Sequence, residues 1–241
     1  MSAQPDNIKE ALTLLNIHYK SFVDVKAYAD KYGHPHPCDT RAWSQILLSA
    51  LTGIKGIARK KGADLDDGSD VKGANTWGAI DTPRFNGCLK AGTKSHVSNS
   101  MASLDGMPHI FFVLWDCEPA TNRERCRVWV TSPRTDKIFR KICALWYKKR
   151  GNGKIESNNF QLHPPRNKNL NIIRNTCGNL EYPLLFSATR AGKGFKVDKP
   201  NPTGGASLVS EGQAADGEGF TVDLYDPVVL TRGRCKKAAS S

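Results

Sequence analysis

The chain has 241 residues, of which 39% are hydrophobic and 24% charged, with 35 Lys and Arg against 23 Asp and Glu. This apolar content suffices for a folded core, which excludes extensive disorder, and the length favours one domain. No apolar run approaches the roughly 20 residues of a membrane-spanning helix, and the first residues lack a signal-peptide pattern, so we expect a soluble, cytoplasmic protein. The seven cysteines contain no CxxC pair, which argues against a disulfide framework or a zinc ribbon.

The net charge of +12 lies almost entirely in the first 197 residues. Residues 198–241 contain five basic and six acidic side chains, so residues 1–197 carry +13. A globular body with this excess attracts polyanions, which makes nucleic acid the leading class of partner. An anionic membrane surface is the weaker alternative, because neither terminus shows a long basic amphipathic helix.

The first 60 residues predict helices. Apolar residues recur at helical spacing over 6–17 and, more weakly, over 22–32. The segment GHPHPCD at 33–39 interrupts this pattern, and its Pro residues favour a loop over a zinc site. The strongly apolar segment RAWSQILLSALT at 41–52 predicts a core helix ending at Gly53.

The segment GADLDDGSDVKGANTW at 62–77 predicts a β-hairpin. Asp66, Asp67 and Gly68 fit a three-residue loop in which Gly68 adopts a left-handed conformation. In that register Asp64 faces Asp70, and Lys72 shares the face of Asp70, because strand side chains alternate. A two-residue Asp67-Gly68 turn is the alternative and would place Asp64 on the opposite face.

The next hundred residues predict two strands and a helix. Residues 82–101 indicate a loop or an irregular helix, whereas HIFFVLWD at 109–116 indicates a buried central strand. RCRVWVTSP at 125–133 pairs with it in this interpretation, and 134–150 has the apolar stripe of an amphipathic helix. The predicted fold class is therefore α/β, with a central mixed sheet flanked by helices.

The remaining sequence is more polar. The Asn- and Arg-rich residues 154–181 suit hydrogen bonding to bases and phosphates better than core packing, and YPLLFSATR at 182–190 suggests a further strand. Residues 198–241 predict a flexible Gly-, Ser- and Pro-rich segment, with a possible late strand near its end. We therefore expect one globular domain over residues 1–197.

Two carboxylates and a lysine on one hairpin face suit metal-dependent hydrolysis of a phosphodiester. Asp64 and Asp70 are hard oxygen ligands of the kind that hold Mg²⁺. Such an ion neutralises the scissile phosphate and lowers the pKa of a bound water. Lys72 would position the water and stabilise charge in the transition state. Asp66 or Asp67 replaces Asp64 as the first carboxylate if the register slips.

These residues resemble a known signature. Asp64 followed by Asp70-Val71-Lys72 is similar to the D…(D/E)xK motif of the PD-(D/E)xK nucleases, with a short spacing and without the Pro before the first Asp. Residues 40–190, including RAWSQILLSALTGIKG, LDGMPHIFFVLWD and NIIRNTCGNLEYPLLF, resemble the MamI-type restriction endonucleases. The resemblance implies a type II site-specific deoxyribonuclease that cuts double-stranded DNA with Mg²⁺. It also implies a homodimer, and a cognate DNA methyltransferase as genetic partner.

Polar residues in two predicted loops, about 82–96 and 156–178, are the candidates for DNA contact. Asn and Gln can pair with adenine, and Arg with guanine, in the major groove. The candidates are Arg84, Asn86, Asn158, Asn159, Gln161, His163, Arg166, Arg174 and Asn175.

Two other functions fit the same residues. One is a repair or junction-resolving nuclease that recognises DNA structure instead of sequence. The other is a nucleic-acid-binding module without catalysis, which predicts metal-independent binding and no cleavage.

Overall fold

A computed structural model describes residues 6–34, 40–57, 62–79, 81–90, 101–165, 171–182, 184–198 and 213–214. The helices are α1 Asp6–Tyr32, α2 Arg41–Thr52, α3 Ala102–Asp105 and α4 Lys137–Gly151. The strands are β1 Asp70–Asn75, β2 Phe85–Lys90, β3 Ile110–Cys117, β4 Glu124–Thr131, β5 Asn159–Leu162, β6 Ile172–Asn175, β7 Gly178–Glu181, β8 Phe186–Ala191, β9 Gly194–Val197 and β10 Gln213–Ala214. No helix in these ranges is long and apolar enough to span a membrane.

The central sheet has five strands in the order β1-β3-β4-β8-β9. β1 runs parallel to β3, with Asp70 opposite Ile110, and the remaining neighbours are antiparallel. Two smaller sheets accompany it: an antiparallel β2–β5 pair and a β10-β7-β6 sheet. A bridge between His163 and Arg174 connects the end of β5 to β6. The predicted α/β class with a mixed central sheet is confirmed.

Strand β3 lies between two hydrophobic layers. Phe111, Val113 and Trp115 belong to the core shared with α1 and α2. Phe112 and Leu114 point to the other side and belong to the core shared with α4 and the smaller sheets. Because both faces of β3 are covered, its sequence is continuously apolar instead of alternating. The predicted buried strand is confirmed.

Helix α2 packs closely against β1. The Ser44 hydroxyl donates to the Thr40 carbonyl over 2.7 Å and accepts from the Trp115 indole N–H over 2.9 Å. A Cβ placed on Gly73 of β1 would lie only 2.8 Å from this hydroxyl oxygen. Gly73 therefore permits the close approach of helix and strand. At the other end of the helix, Gly53 has a φ of +76°, which confirms the predicted helix end.

We expect the substitution Gly73→Ala to lower the free energy of unfolding by about 1–3 kcal/mol, because the added methyl overpacks this contact. The measurement is urea-induced unfolding followed by circular dichroism. Gly106→Ala is the matched control, since a Cβ there meets no atom within 4 Å. Equal stability of the two variants would contradict the proposed role of Gly73.

Helix α4 begins at a buried carboxylate. Asp136 caps the helix by accepting from the Phe139 backbone N–H over 2.9 Å. Its second oxygen accepts from the Thr131 hydroxyl and from the Tyr182 hydroxyl, over 2.8 and 2.9 Å. These bonds satisfy a carboxylate that is 1% exposed and join β4, α4 and the residue after β7. The predicted helix within 134–150 is confirmed.

Of the remaining predictions for the first hundred residues, one is confirmed and one is wrong. The helical prediction for 6–17 and 22–32 is confirmed, and the two segments belong to one continuous helix of 27 residues. Residues 82–101, predicted as a loop or an irregular helix, contain strand β2, which buries Phe85 and Leu89. Its pairing partner, β5, lies far along the chain, so no local hairpin pattern identifies the strand. Residues 91–100 lie outside the described part of the chain.

The polar region after residue 154 also differs from its prediction. It forms strands β5, β6 and β7 instead of loops, and the apolar residues between its polar ones are fully buried: Phe160, Leu162, Ile173 and Leu180. The expectation of poor core packing is therefore wrong. The strand predicted from YPLLFSATR is confirmed as β8. The predictions for 198–241 fall almost wholly on residues outside the described ranges, except for the short β10.

Candidate active site

The turn before β1 has the predicted three-residue form. The Gly68 backbone N–H donates to the Leu65 carbonyl, and the Leu65 N–H to the Ser69 carbonyl, both over 3.1 Å. Gly68 has a φ of +92°, a conformation that favours glycine. Asp67 stabilises the turn by accepting from the Ser69 N–H and hydroxyl, each over 2.8 Å. The alternative two-residue turn is therefore wrong.

The segment before this turn does not pair with β1 as a regular strand. β1 pairs with β3, while Leu65 forms an isolated bridge with Gly56. Asp64 reaches β1 through its side chain instead: one carboxylate oxygen accepts from the Val71 backbone N–H over 3.0 Å. The predicted hairpin is thus a turn with one true strand, because β3 supplies the ladder partner of β1.

The structure brings Asp64, Asp70 and Lys72 together. The Lys72 ammonium lies 2.6 Å from the Asp70 carboxylate, and their side chains are 16% and 10% exposed. The other carboxylate oxygen of Asp64 accepts from the Gln45 side-chain amide over 2.7 Å. Gln45 was missed in the sequence analysis. Its signal is a large polar residue beside the buried Ser44 on a strongly apolar core helix.

Burial raises the pKa of the Asp64 carboxyl to about 6, and a hydrogen bond and charge repulsion from Asp70 act in the same direction. The Val71 N–H and the Lys72 ammonium oppose this rise without cancelling it. Two carboxylates close together in a partly buried site favour a shared proton, or a cation that replaces it.

Burial of the Lys72 ammonium acts to lower its pKa, but the charge and hydrogen bond of Asp70, together with the charges of Cys88 and Asp64, outweigh this, and the pKa of Lys72 is raised. Lys72 is consequently a protonated, cationic group at neutral pH. It can donate hydrogen bonds and stabilise negative charge, but it is poorly suited to accept a proton.

Asp66 and Asp67 are both exposed, in contrast to Asp70. Asp67 is engaged with Ser69, and its carboxylate lies 3.9 Å from His109. Burial lowers the pKa of His109, whose ring nitrogen lies 3.3 Å from the Ser69 hydroxyl. These contacts support the interpretation of Asp67 and His109 as residues that hold the turn.

The donor set at this site fits Mg²⁺. Within the described residues there is no cluster of three or more His, Cys, Asp or Glu that could enclose a metal ion. Mg²⁺ does not need one, because it is commonly held by one or two carboxylates together with waters and substrate phosphates. Asp64 and Asp70 supply two such carboxylates beside a cation. Most of the segment His34-Pro-His36-Pro-Cys38 lies outside the described ranges.

Most of the predicted DNA-contact residues lie on or at the ends of neighbouring strands, of which β2 lies beside the site. Asn86 of β2 pairs with Gln161 of β5, and the bridge between His163 and Arg174 continues this layer to β6. The burial of Lys72 beside Cys88, also on β2, places this strand of the layer against the candidate active site. Its strand residues among the candidates are Asn86, Asn159, Gln161, Arg174 and Asn175, with Arg84, Asn158 and His163 at strand ends.

These candidates differ in their availability. Asn86, Asn158 and Asn159 are exposed, although Asn158 accepts a hydrogen bond from Arg150. Asn175 uses both ends of its amide within the protein: it donates to the Gln161 carbonyl over 2.7 Å and accepts from the Cys177 N–H over 2.8 Å.

The two candidate arginines among the described residues also make contacts with backbone carbonyls. The Arg84 side chain donates to the Thr82 carbonyl over 3.3 Å, and Arg174 donates to the Pro164 carbonyl over 3.1 Å. Arg166 lies outside the described residues. The exposed asparagines are thus better placed for a partner than Asn175.

Comparison with known proteins places the chain in a family. The family model described as MamI restriction endonuclease matches residues 27–192, a range that contains Asp64, Asp70 and Lys72. The chain belongs to the MamI restriction endonuclease family. It is 28% identical over 208 residues to the type II restriction enzyme MamI of Microbacterium ammoniaphilum, covering 75% of this chain and 66% of that enzyme. No solved structure matches the chain significantly.

Proposed function

We propose that this member of the MamI family is a type II restriction endonuclease that hydrolyses phosphodiester bonds at a specific sequence in double-stranded DNA, using Mg²⁺. The observation that carries the proposal is the contact of Asp70 with Lys72 beside Asp64, at the motif positions and within the family match. Residues 1–197 would form the nuclease domain. The relative's name supplies the reaction class, and the site supplies the residues for it.

Each of the three side chains has a distinct role in this proposal. Asp64 and Asp70 would hold Mg²⁺, which when bound neutralises the scissile phosphate and activates a water. The Lys72 ammonium stays protonated beside Asp70, so it would orient the attacking water and offset the charge that develops on the phosphate.

Charge and symmetry define the expected partners. The net charge of +13 on residues 1–197 supports attraction to the DNA backbone. The polar strands β2, β5 and β6 would contact the duplex next to the cut. A homodimer would match a two-fold symmetric recognition sequence. A cognate DNA methyltransferase would protect the host genome. The nuclease would act in the cytoplasm.

The decisive experiment is digestion of unmethylated plasmid and phage DNA by the purified protein, with Mg²⁺ or with EDTA. Discrete fragments that disappear with EDTA are expected, and sequencing their ends would identify the site. Cleavage of branched substrates alone would support a structure-specific nuclease instead. Metal-independent binding without cleavage would contradict the enzymatic proposal.

The raised pKa of Asp64 predicts that Mg²⁺ binding weakens at acidic pH. The carboxyl must lose its proton to bind the ion, so below about pH 6 the Mg²⁺ concentration for half-maximal cleavage should rise roughly tenfold per pH unit. Initial cleavage rates over a series of Mg²⁺ concentrations at pH 5 to 8.5 test this. A Mg²⁺ requirement that is constant over this range would contradict the prediction.

The raised pKa of Asp64 also makes the stability of the metal-free protein depend on pH. Because the pKa rises from 3.8 to about 6 on folding, the contribution of neutral Asp64 to stability is full below pH 3.8 and is lost as the pH rises through about 6. Added Mg²⁺ should therefore raise the melting temperature more at pH 8 than at pH 5.

A further inference from the structure

We propose that Gln45 is a positioning residue of the active site, whose side-chain amide holds the Asp64 carboxylate in the orientation that binds the metal ion. The inference rests on the proposed Mg²⁺-dependent function and adds a residue from α2 to it. The side-chain amide nitrogen of Gln45 lies 2.7 Å from Asp64, which is a short hydrogen bond to a charged acceptor.

Helix α2 is anchored at the position next to Gln45. Ser44 accepts from the Trp115 indole and fills the space left by the missing side chain of Gly73. Since Gly73 and Lys72 are consecutive on β1, this contact sets the distance between α2 and the catalytic strand. The backbone of Gln45 is thereby fixed with respect to the site, and its side chain spans the remaining gap.

Asp64 needs such support because of its place in the fold. It lies before a turn and not within a regular strand, so a β-ladder does not fix its carboxylate. Two donors do so instead: the Val71 N–H binds one oxygen over 3.0 Å and Gln45 binds the other over 2.7 Å. A carboxylate oxygen can accept more than one bond, so each oxygen retains capacity for a metal ion.

A donor at this position also matches the charges of the site. Asp64 and Asp70 repel each other, and this repulsion favours rotation of the Asp64 carboxylate away from Asp70. A neutral amide donor holds the carboxylate in place without adding a negative charge. A carboxylate in place of Gln45 would increase the repulsion in the metal-free site.

The test measures Mn²⁺ binding to the whole protein by electron paramagnetic resonance, in the absence of DNA and turnover. Gln45→Met preserves side-chain length and removes the donor, and Gln45→Glu replaces the donor with an acceptor. Ile46→Ala is the matched control on the same helix, because Ile46 is 53% exposed. We expect both Gln45 variants to raise the Mn²⁺ dissociation constant about 10- to 100-fold, as for other residues that orient a metal ligand, and the control to leave it unchanged.

Cleavage kinetics supply a second readout. Loss of positioning should raise the Mg²⁺ requirement of Gln45→Met, and saturating Mg²⁺ should restore most of the cleavage rate. Unfolding midpoints close to that of the Ile46→Ala control would separate this effect from a loss of folded protein.

Two results would overturn the inference and leave the proposed function intact. One is an unchanged Mn²⁺ affinity in Gln45→Met. The other is tighter Mn²⁺ binding in Gln45→Glu, because position 45 would then supply a metal ligand. A wild-type protein that binds no Mn²⁺ would overturn the metal site itself, and the inference with it.

Discussion

The substitution Lys72→Ala is expected to reduce the rate of DNA cleavage by about 100- to 1,000-fold or more, while DNA binding changes little. Lys72 is the cation within hydrogen-bonding distance of Asp70, and the raised pKa keeps it charged at every pH at which the enzyme would operate. The substitution removes the Lys72 cation, which would stabilise the transition state as negative charge builds up on the phosphate. Single-turnover cleavage of a plasmid and a separate DNA-binding titration in Ca²⁺ measure the two effects.

A matched control removes the same charge far from the site. Lys20 is exposed on α1, where it pairs with Asp24 four residues along the helix. Lys20→Ala should cleave DNA at close to the wild-type rate. If Lys72→Ala folds normally and retains full activity, the catalytic assignment of the Asp70-Val71-Lys72 segment is wrong.

Substitution of the three aspartates around the turn is expected to separate the first metal ligand from the residues that shape the turn. Asp64→Asn should lose cleavage by about 100-fold or more, since a neutral amide is a poor ligand for Mg²⁺. Asp66→Ala should retain nearly full activity, because Asp66 is exposed. Asp67→Ala should retain activity but lose about 1 kcal/mol of stability, because it removes the bonds to Ser69.

Cleavage rates at saturating Mg²⁺, combined with urea unfolding of each variant, test this pattern. Asp66→Ala is the internal control, since it changes the charge of the same turn by the same amount as Asp64→Asn. Loss of cleavage in Asp66→Ala or Asp67→Ala, with activity kept in Asp64→Asn, would transfer the role of first carboxylate to the turn. The first carboxylate would then lie even closer to Asp70 in the sequence than Asp64 does.

Local sequence patterns predict the elements whose cause is local. The apolar run of β3 indicates a strand covered on both faces, and the stripe of α2 with Gly53 indicates a core helix with a defined end. The Asp66-Asp67-Gly68 turn follows from the preference of glycine for positive φ. These features depend on residues within a few positions of one another, so a single sequence reveals them.

The sequence did not reveal strands β2, β5, β6 and β7, and the reason is physical. They are four to six residues long, and their polar residues hide the alternation of buried positions. β2 is stabilised by β5, which lies about 70 residues later in the chain and leaves no signal beside it. Similarly, the pattern over 6–17 and 22–32 does not reveal that both segments belong to one helix. His18, which lies between them, is buried among Trp43, Trp77 and Trp115 from other elements.

By itself, the sequence determined the fold class, the candidate catalytic residues and the basic character that favours DNA. It did so because periodicity, turn chemistry and the composition of a short motif are properties of neighbouring residues. Only the tertiary structure decided that Asp64 meets Asp70 through a side chain, that Gln45 binds Asp64 and that β2 lies beside Lys72. These contacts depend on how α2, β1 and β2 pack, and packing brings together residues that the chain keeps apart.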